Sequence, residues 1–232
     1  MHEMVSTDER ILQAALRRFA ADGLAAPLRR IAADADVSAG LIIHHYGSRE
    51  KLLRACDLRT LEVTRREKAA MLAGGSGELL AQLAQTEKYA SVVGYVLRRL
   101  QAGGPQAGQF VDDFAADAVE YLAEGERAGT ISPSRDPQGR AQVLTEMALG
   151  ALLLQLPAQR DHLDLAELPG WLRARSDRII GPLLELYSVP LLTDRTLLTA
   201  YLSAGSGAQD RRSARRTTPR PESVPSTPEA PS

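Results

Sequence analysis

Residues 28–46 read Leu28-Arg-Arg-Ile-Ala-Ala-Asp-Ala-Asp-Val-Ser-Ala-Gly-Leu-Ile-Ile-His-His-Tyr46. Asp36-Val37 is predicted to make a turn, and Ser38 is suited to the N-cap of a helix that ends near Tyr46. Before the turn, one apolar helix face follows the i, i+3, i+4, i+7 spacing: Leu28, Ile31, Ala32 and Ala35. Two short helices joined by a tight turn predict a helix-turn-helix, whose second helix lies in a DNA major groove.

The residues around this turn carry side chains that can contact the bases and phosphates of DNA. His44 and His45 lie toward the outer side of the second helix, where an imidazole N–H can reach a phosphate or a base. Arg29 can bind guanine bidentately, and Arg49 adds a cation near the phosphate backbone. The second helix begins with a narrow end that can approach base edges: Ser38, Ala39, Gly40 and Leu41. Its apolar underside is predicted to pack on the preceding helix: Val37, Ile42 and Tyr46.

Helix boundary signals flank this segment. Ser6 and Glu9 form a capping-box pattern before an apolar run, and Asp22-Gly23 ends that first helix. Pro27 suits the first position of the second helix. Ser48 can cap a fourth helix.

The fourth helix is predicted to run from Arg49 to about Leu72, followed by a loop at 74–77. Asp136-Pro137 is a favourable N-cap and first-turn pair for a later helix. The spacing of apolar residues and of Gly and Pro predicts six further helices: Glu78–Gln85, Lys88–Gln101, Pro105–Ala128, Pro137–Gln155, Pro169–Tyr187 and Leu191–Ser203.

The composition favours an all-α fold. Of 232 residues, 44% are hydrophobic, 25% charged and 4% aromatic, and Ala and Leu recur throughout, which favours helix over strand. No apolar run approaches the roughly 20 residues of a membrane span, and the N-terminus lacks the parts of a signal peptide. The single Cys56 excludes an intramolecular disulfide framework and is predicted to be a core thiol. We therefore expect a cytoplasmic location.

The charge distribution restricts how DNA can be bound. The net charge is −1, and residues 1–54 hold eight basic and seven acidic side chains. A DNA contact must therefore come from local placement of four cations: Arg29, Arg30, Arg49 and Lys51. We expect no metal site, because successive helix residues such as His44 and His45 diverge by about 100°.

Residues 10–54 resemble the DNA-binding domain of the tetracycline-repressor (TetR) family of transcriptional regulators. The matching segments are Ala14-Ala15-Leu16, Phe19-Ala20, Asp22-Gly23, Ile31-Ala32, Val37-Ser38-Ala39-Gly40 and His44 to Leu52. The resemblance implies a three-helix DNA-binding domain at 1–48 and a helical ligand-binding and dimerisation domain at 49–203. The Pro-, Ser- and Arg-rich residues 204–232 are predicted to be a disordered tail. Its basic run at 211–216 either adds nonspecific phosphate contacts or is simply solvated.

Three positions depart from the family pattern. Ile43 stands where the family usually has a tyrosine whose hydroxyl contacts a phosphate. Ala39 stands where lysine is frequent, and Ala26 where Thr or Ser often enters the second helix. With these contacts absent, the resemblance implies that Arg29, His44 and His45 carry more of the binding.

The second domain is expected to hold a ligand cavity and a dimer interface. Several residues either line the implied cavity or belong to the core: Tyr89, Val93, Tyr95, Phe110, Phe114, Tyr121 and Met147. Apolar residues recur on one face of each of two helices, which predicts a dimer interface: Leu144, Met147, Ala148, Ala151 and Leu152, then Ile179, Ile180, Leu183, Leu184 and Tyr187. In the family, the two helices at this position form a four-helix dimer interface.

The sequence therefore predicts a repressor that binds double-stranded DNA as a homodimer, without a cofactor, and is released by a small-molecule effector. A two-fold dimer presents recognition helices about 34 Å apart and reads a near-palindromic operator. One alternative is a DNA-binding regulator without a ligand. The other is an all-α enzyme, for which the sequence offers no nucleophile–base pair, metal-ligand spacing or glycine-rich phosphate loop.

Overall fold

The computed structural model describes residues 6–83, 89–155 and 163–204 of the chain. All regular secondary structure in these ranges is helical, which confirms the all-α prediction. No helix among them combines the length and apolar character needed to cross a membrane. The helices, in chain order, are α1 Thr7–Asp22, α2 Leu28–Asp34, α3 Ala39–Tyr46, α4 Arg49–Leu83, α5 Ala90–Ala102, α6 Gly104–Ala128, α7 Pro137–Gln155, α8 Leu168–Ser188 and α9 at 196–204.

The predicted caps set the helix starts. Ser6 Oγ accepts from the Glu9 amide at 3.2 Å, and Asp136 Oδ1 accepts from the Gly139 amide at 2.8 Å. Ser48 Oγ likewise accepts from the Lys51 amide in the first turn of α4, at 3.2 Å. Each bond satisfies an amide that has no partner within its helix. Pro27 lies one residue earlier than predicted, at the N-cap of α2.

The fourth helix is longer than predicted. Instead of ending near Leu72, α4 continues through Gly74-Gly75-Ser76-Gly77 to Leu83, so the predicted loop and separate helix from Glu78 are wrong. Each glycine costs a helix about 1 kcal/mol without excluding helical dihedral angles. A short glycine-rich stretch therefore does not force a break.

One smaller difference concerns the C-terminal part. The last helix begins at residue 196 and not at 191. Residues 205–232, on which the predicted tail and its basic run fall, lie outside the described residues.

One large hydrophobic core contains residues from each of the helices α1 to α6. Phe19 of α1 lies with its ring centroid 6.3 Å from that of Tyr95 in α5, which in turn lies 6.3 Å from Phe110 in α6. The fully buried members include Ile11, Phe19, Ile31, Ile42, Leu52, Cys56, Tyr95 and Phe110. Of the helices of the predicted DNA-binding domain, α1 is packed directly on α4 and α5, and α3 is packed on α4.

The chain divides into two compact units, Met1–Arg178 and Ile179–Ser232. The division falls within α8. The domain limits at 48 and 203 remain predictions.

Cys56 belongs to the large core and is fully buried, as predicted. Burial raises the pKa of its thiol, because the thiolate would lose its hydration. The side chain therefore remains protonated and acts as a small apolar group.

Candidate nucleic-acid interface

A four-residue turn at 35–38 joins α2 to α3. The amide of Val37 donates to the carbonyl of Ala32 at 3.0 Å and closes the end of α2. Asp36 follows the end of α2 with φ +53°, in the left-handed region that Asp tolerates better than most residues. Ser38 Oγ then accepts from the Leu41 amide at 3.1 Å and starts α3. This is the geometry predicted for a helix-turn-helix.

α3 presents two different faces. Ile42 is 1% exposed, and Ala39 and Tyr46 pack partly buried against the same core. The predicted underside thus packs on its neighbours, and Ala39, which the sequence placed at the DNA-facing end, lies beside it. The exposed residues are Ser38, Gly40, Ile43, His44 and His45, while Leu41 is half-buried.

Ion pairs hold α1 against α2. Arg18 binds Asp34 bidentately, with Nε to Oδ2 at 2.5 Å and Nη2 to Oδ1 at 2.8 Å. Arg30 Nη1 lies 3.2 Å from Asp22 Oδ2, which also accepts from Arg18 at 3.4 Å. Hydrogen bonding by the Arg18 guanidinium lowers the pKa of the Asp34 carboxyl. Arg30, one of the four cations considered for DNA, is therefore engaged within the fold.

Arg49 is also held internally. Its Nη1 donates to the carbonyl oxygens of Leu24 at 3.3 Å and Ala26 at 2.6 Å. This ties the start of α4 to the loop that leads into α2. A phosphate contact from Arg49 remains a prediction.

Arg29, Arg30 and Lys51 are exposed, and of these Arg29 and Lys51 form no ion pair with the described residues. An ideal Cβ on Gly47 would lie 3.7 Å from Lys51 Nζ, so the ammonium lies over the C-terminal end of α3. The sequence indicated Lys51 only as one of several local cations. Its placement beside α3 makes it a stronger candidate than Arg30 or Arg49.

The two adjacent histidines differ in their partners. His45 Nδ1 lies 2.9 Å from Asp8 Oδ1 of α1, and the Tyr46 hydroxyl donates to the Asp8 carbonyl at 3.5 Å. His44 is exposed and forms no ion pair with the described residues. Burial raises the pKa of Tyr46 to about 12, which keeps its hydroxyl protonated. No group of His, Cys, Asp and Glu in the described part of the chain is arranged to hold a metal ion.

The predicted ligand-lining residues lie in different places. Phe110 and Phe114 belong to the large core, with ring centroids 4.8 Å apart. Val93 packs against a second cluster formed by Ala90, Leu97, Leu163 and Leu168, and Tyr89 is half-buried at the start of α5. Met147 is 49% exposed on α7.

The predicted dimer residues divide between the two units. In the first unit, Leu152 is half-buried against the large core and Leu144 against a separate cluster of Ala118, Leu122 and Ala141. The exposed apolar side chains of α7 include Val143, Met147, Ala148 and Leu154. In the second unit, Ile180 and Leu183 are half-buried. Among the residues of this unit that the structure describes, the large exposed apolar side chains are Leu184, Leu186, Tyr187, Val189, Leu191, Leu192, Leu197, Leu198 and Tyr201. Exposed apolar surface on this scale is typical of protein interfaces.

Comparisons with known proteins bear on the family and the fold of the chain. Residues 11–56 match the family described as bacterial regulatory proteins, tetR family, and residues 87–193 match the tetracyclin repressor-like C-terminal domain. The HTH-type transcriptional regulatory protein RaaS of Mycobacterium tuberculosis is 41% identical over 195 residues, which are 84% of this chain and 91% of that protein. A crystal structure assigned to a TetR-family regulator of Rhodococcus sp. is 18% identical, with a TM-score of 0.51 over 75% of this chain and 97% of the other.

Proposed function

Because this chain belongs to the TetR family of transcriptional regulators, we propose that it is a homodimeric repressor that binds a near-palindromic operator and is released by a small molecule. Its proposed partners are double-stranded DNA, a second copy of itself and an effector. Its proposed role is binding without catalysis, in the cytoplasm.

The observation that supports DNA binding is the exposed face of α3. Gly40 is exposed in the first turn and has no side chain, and His44 follows one turn later on the same exposed face. Arg29 of α2 and Lys51 of α4, the helices before and after α3, are exposed cations. A base-reading helix with phosphate-binding cations on either side is the arrangement that major-groove readers use.

Dimerisation is proposed from the exposed apolar residues of α7 and, separately, of the second unit. Met147 and Leu154 of α7 are 49% and 87% exposed. Leu184 and Tyr187 in the second unit are 45% and 57% exposed. Burying such side chains against a symmetric partner removes apolar surface from water.

Release by a ligand is proposed to act through α4. Since α4 begins three residues after α3 ends, a displacement of α4 moves the recognition helix. The dimer is proposed to have two forms that differ in the separation of their recognition helices. An effector that binds one form more tightly than the other would shift the dimer toward that form.

A regulator that needs no effector is the second candidate. The observation in its favour is that Phe110 and Phe114, proposed to line a cavity, are packed within the large core. Thermal unfolding of the protein against a library of apolar and amphipathic small molecules separates the two candidates. A compound that raises the unfolding temperature and weakens operator binding supports the ligand-responsive function.

The test of DNA binding is selection of fragments from sheared genomic DNA by the purified protein. The test is repeated with Arg29→Ala and His44→Ala, and with Arg65→Ala of α4 as the control. Enrichment of a near-palindromic site by the wild type and the control, but not by the other two variants, supports the proposal. No enrichment at low salt overturns it.

A further inference from the structure

The interior of α5 is packed unusually close to the end of α1. An ideal Cβ on Gly94 would lie 2.9 Å from Ala20 Cβ, a distance that real Cβ atoms do not show. One turn later, Arg98, 7% exposed, donates from Nε to the Ala20 carbonyl at 3.0 Å and from Nη2 to the Ala21 carbonyl at 3.2 Å. A cation is thereby placed on the last carbonyls of α1, where the helix dipole is negative.

α5 is also fixed to α4, through the buried carboxylate of Asp57. Asp57 is 1% exposed and is bound bidentately by Arg99, at 2.9 and 2.7 Å. The Tyr95 hydroxyl donates to Asp57 Oδ1 at 2.7 Å and lies 3.0 Å from the Leu53 carbonyl oxygen. Breaking such a pair leaves a charge unpaired in the interior, so the arrangement resists displacement.

Two of the helices that α5 contacts, α1 and α4, also position α3. α1 is joined to α2 by the Arg18–Asp34 pair, and α4 starts directly after α3. We name the residues that hold both helices the α5 clamp: Gly94, Tyr95, Arg98 and Arg99. Fixing α1 and α4 from one helix fixes the orientation of the helix-turn-helix against the rest of the first unit.

We propose that the α5 clamp sets the half-site spacing that the dimer accepts, with Arg98 as a positioning residue that does not touch DNA. The inference rests on the proposed function of a dimer that reads two half-sites. Each base pair inserted between half-sites shifts one by about 3.4 Å and rotates it by about 34°. A dimer whose recognition helices are held rigidly binds an operator of altered spacing more weakly. A dimer whose recognition helices are held less tightly loses less affinity for that operator.

The experiment compares operator affinities at three spacings. The operator selected by the wild type is made with its own spacing, with one base pair inserted and with one removed. The spacing penalty is the ratio of the altered to the original Kd. It is measured for the wild type, Arg98→Met, Arg98→Lys and the control Arg65→Met, which removes an exposed ion pair between α4 and Glu120 of α6.

We expect Arg98→Met to lower the spacing penalty by roughly 2- to 30-fold, the range for a single coupling side chain. Arg98→Lys, which keeps the charge, lowers it less, and Arg65→Met leaves it unchanged. If Arg98→Met does not fold, Gly94→Ala provides the second test, because its Cβ forces α5 away from Ala20. Folded clamp variants that keep the wild-type penalty overturn the inference, as does a wild type with no penalty. A wild type that binds no DNA overturns the proposed function itself.

Discussion

Gly40 in the first turn of α3 is a residue that the fold itself does not require. An ideal Cβ there would meet only Ser38 Oγ, at an ordinary contact distance of 3.7 Å. Since alanine is favoured over glycine in a helix by about 0.5–1 kcal/mol, Gly40→Ala should raise the free energy of unfolding by that amount. If Gly40 lets α3 approach base edges, operator affinity should fall roughly tenfold, within the 1–3 kcal/mol of a base contact. Denaturant unfolding and operator titration measure the two effects.

The matched control is Gly108→Ala in α6, where a new Cβ also meets open space. It should stabilise the protein similarly and leave operator affinity unchanged. Full operator affinity in Gly40→Ala would show that α3 does not approach DNA through this position.

At the residue scale, the sequence predicted local interactions and missed distant ones. The Ser38 cap and the burial of Cys56 follow from neighbours along the chain. The pairing of His45 with Asp8 and of Arg49 with the Leu24 and Ala26 carbonyls depends on how helices pack. No short-range pattern reports such contacts, so both residues were predicted to face DNA without their internal partners.

At the scale of elements, the contact between α1 and α2 depends on a titratable pair. Arg18 lowers the pKa of Asp34 below the usual 3.8. A lowered folded pKa stabilises the fold above the unfolded pKa, and this stabilisation is lost as pH falls through the folded value. Asp34→Asn should therefore cost about 1 kcal/mol near neutral pH. The difference between the two proteins should shrink below about pH 4.

Thermal unfolding of wild type and Asp34→Asn between about pH 3 and 7 tests this dependence. Asp117→Asn is a useful comparison, because burial raises the pKa of Asp117 and its charge does not stabilise the fold. A constant difference between wild type and Asp34→Asn across the range would contradict the ion-pair explanation.

Element boundaries were predictable where a cap defines them and less so elsewhere. α7 starts at Pro137 after the predicted Asp136 cap, confirmed by its bond to the Gly139 amide. The glycines at 74–77 suggested a break, yet α4 passes through them. Composition measures only the small intrinsic preference of each residue, which is too small to decide alone whether a helix ends.

At the scale of the whole molecule, the fold class followed from helical periodicity, but the division into units did not. Phe19 of α1 shares one core with Tyr95 of α5 and Phe110 of α6, which lie much further along the chain. Aromatic residues at helical spacing have the same pattern whether they line a cavity or fill a core. That ambiguity is why the proposed lining residues and the core overlap at Phe110 and Phe114.

The oligomeric state can be tested on each unit separately. Met147→Glu in the first unit and Leu184→Glu in the second each place a charge on an exposed apolar residue. If these residues are buried between protomers, the two-fold axis doubles the charge and its desolvation costs several kcal/mol. Sedimentation velocity should then show monomers for both variants, with weakened operator binding. Leu58→Glu on α4, 53% exposed and outside the proposed interface, should remain a dimer. Dimers in all three variants would mean that these apolar residues do not form the dimer interface.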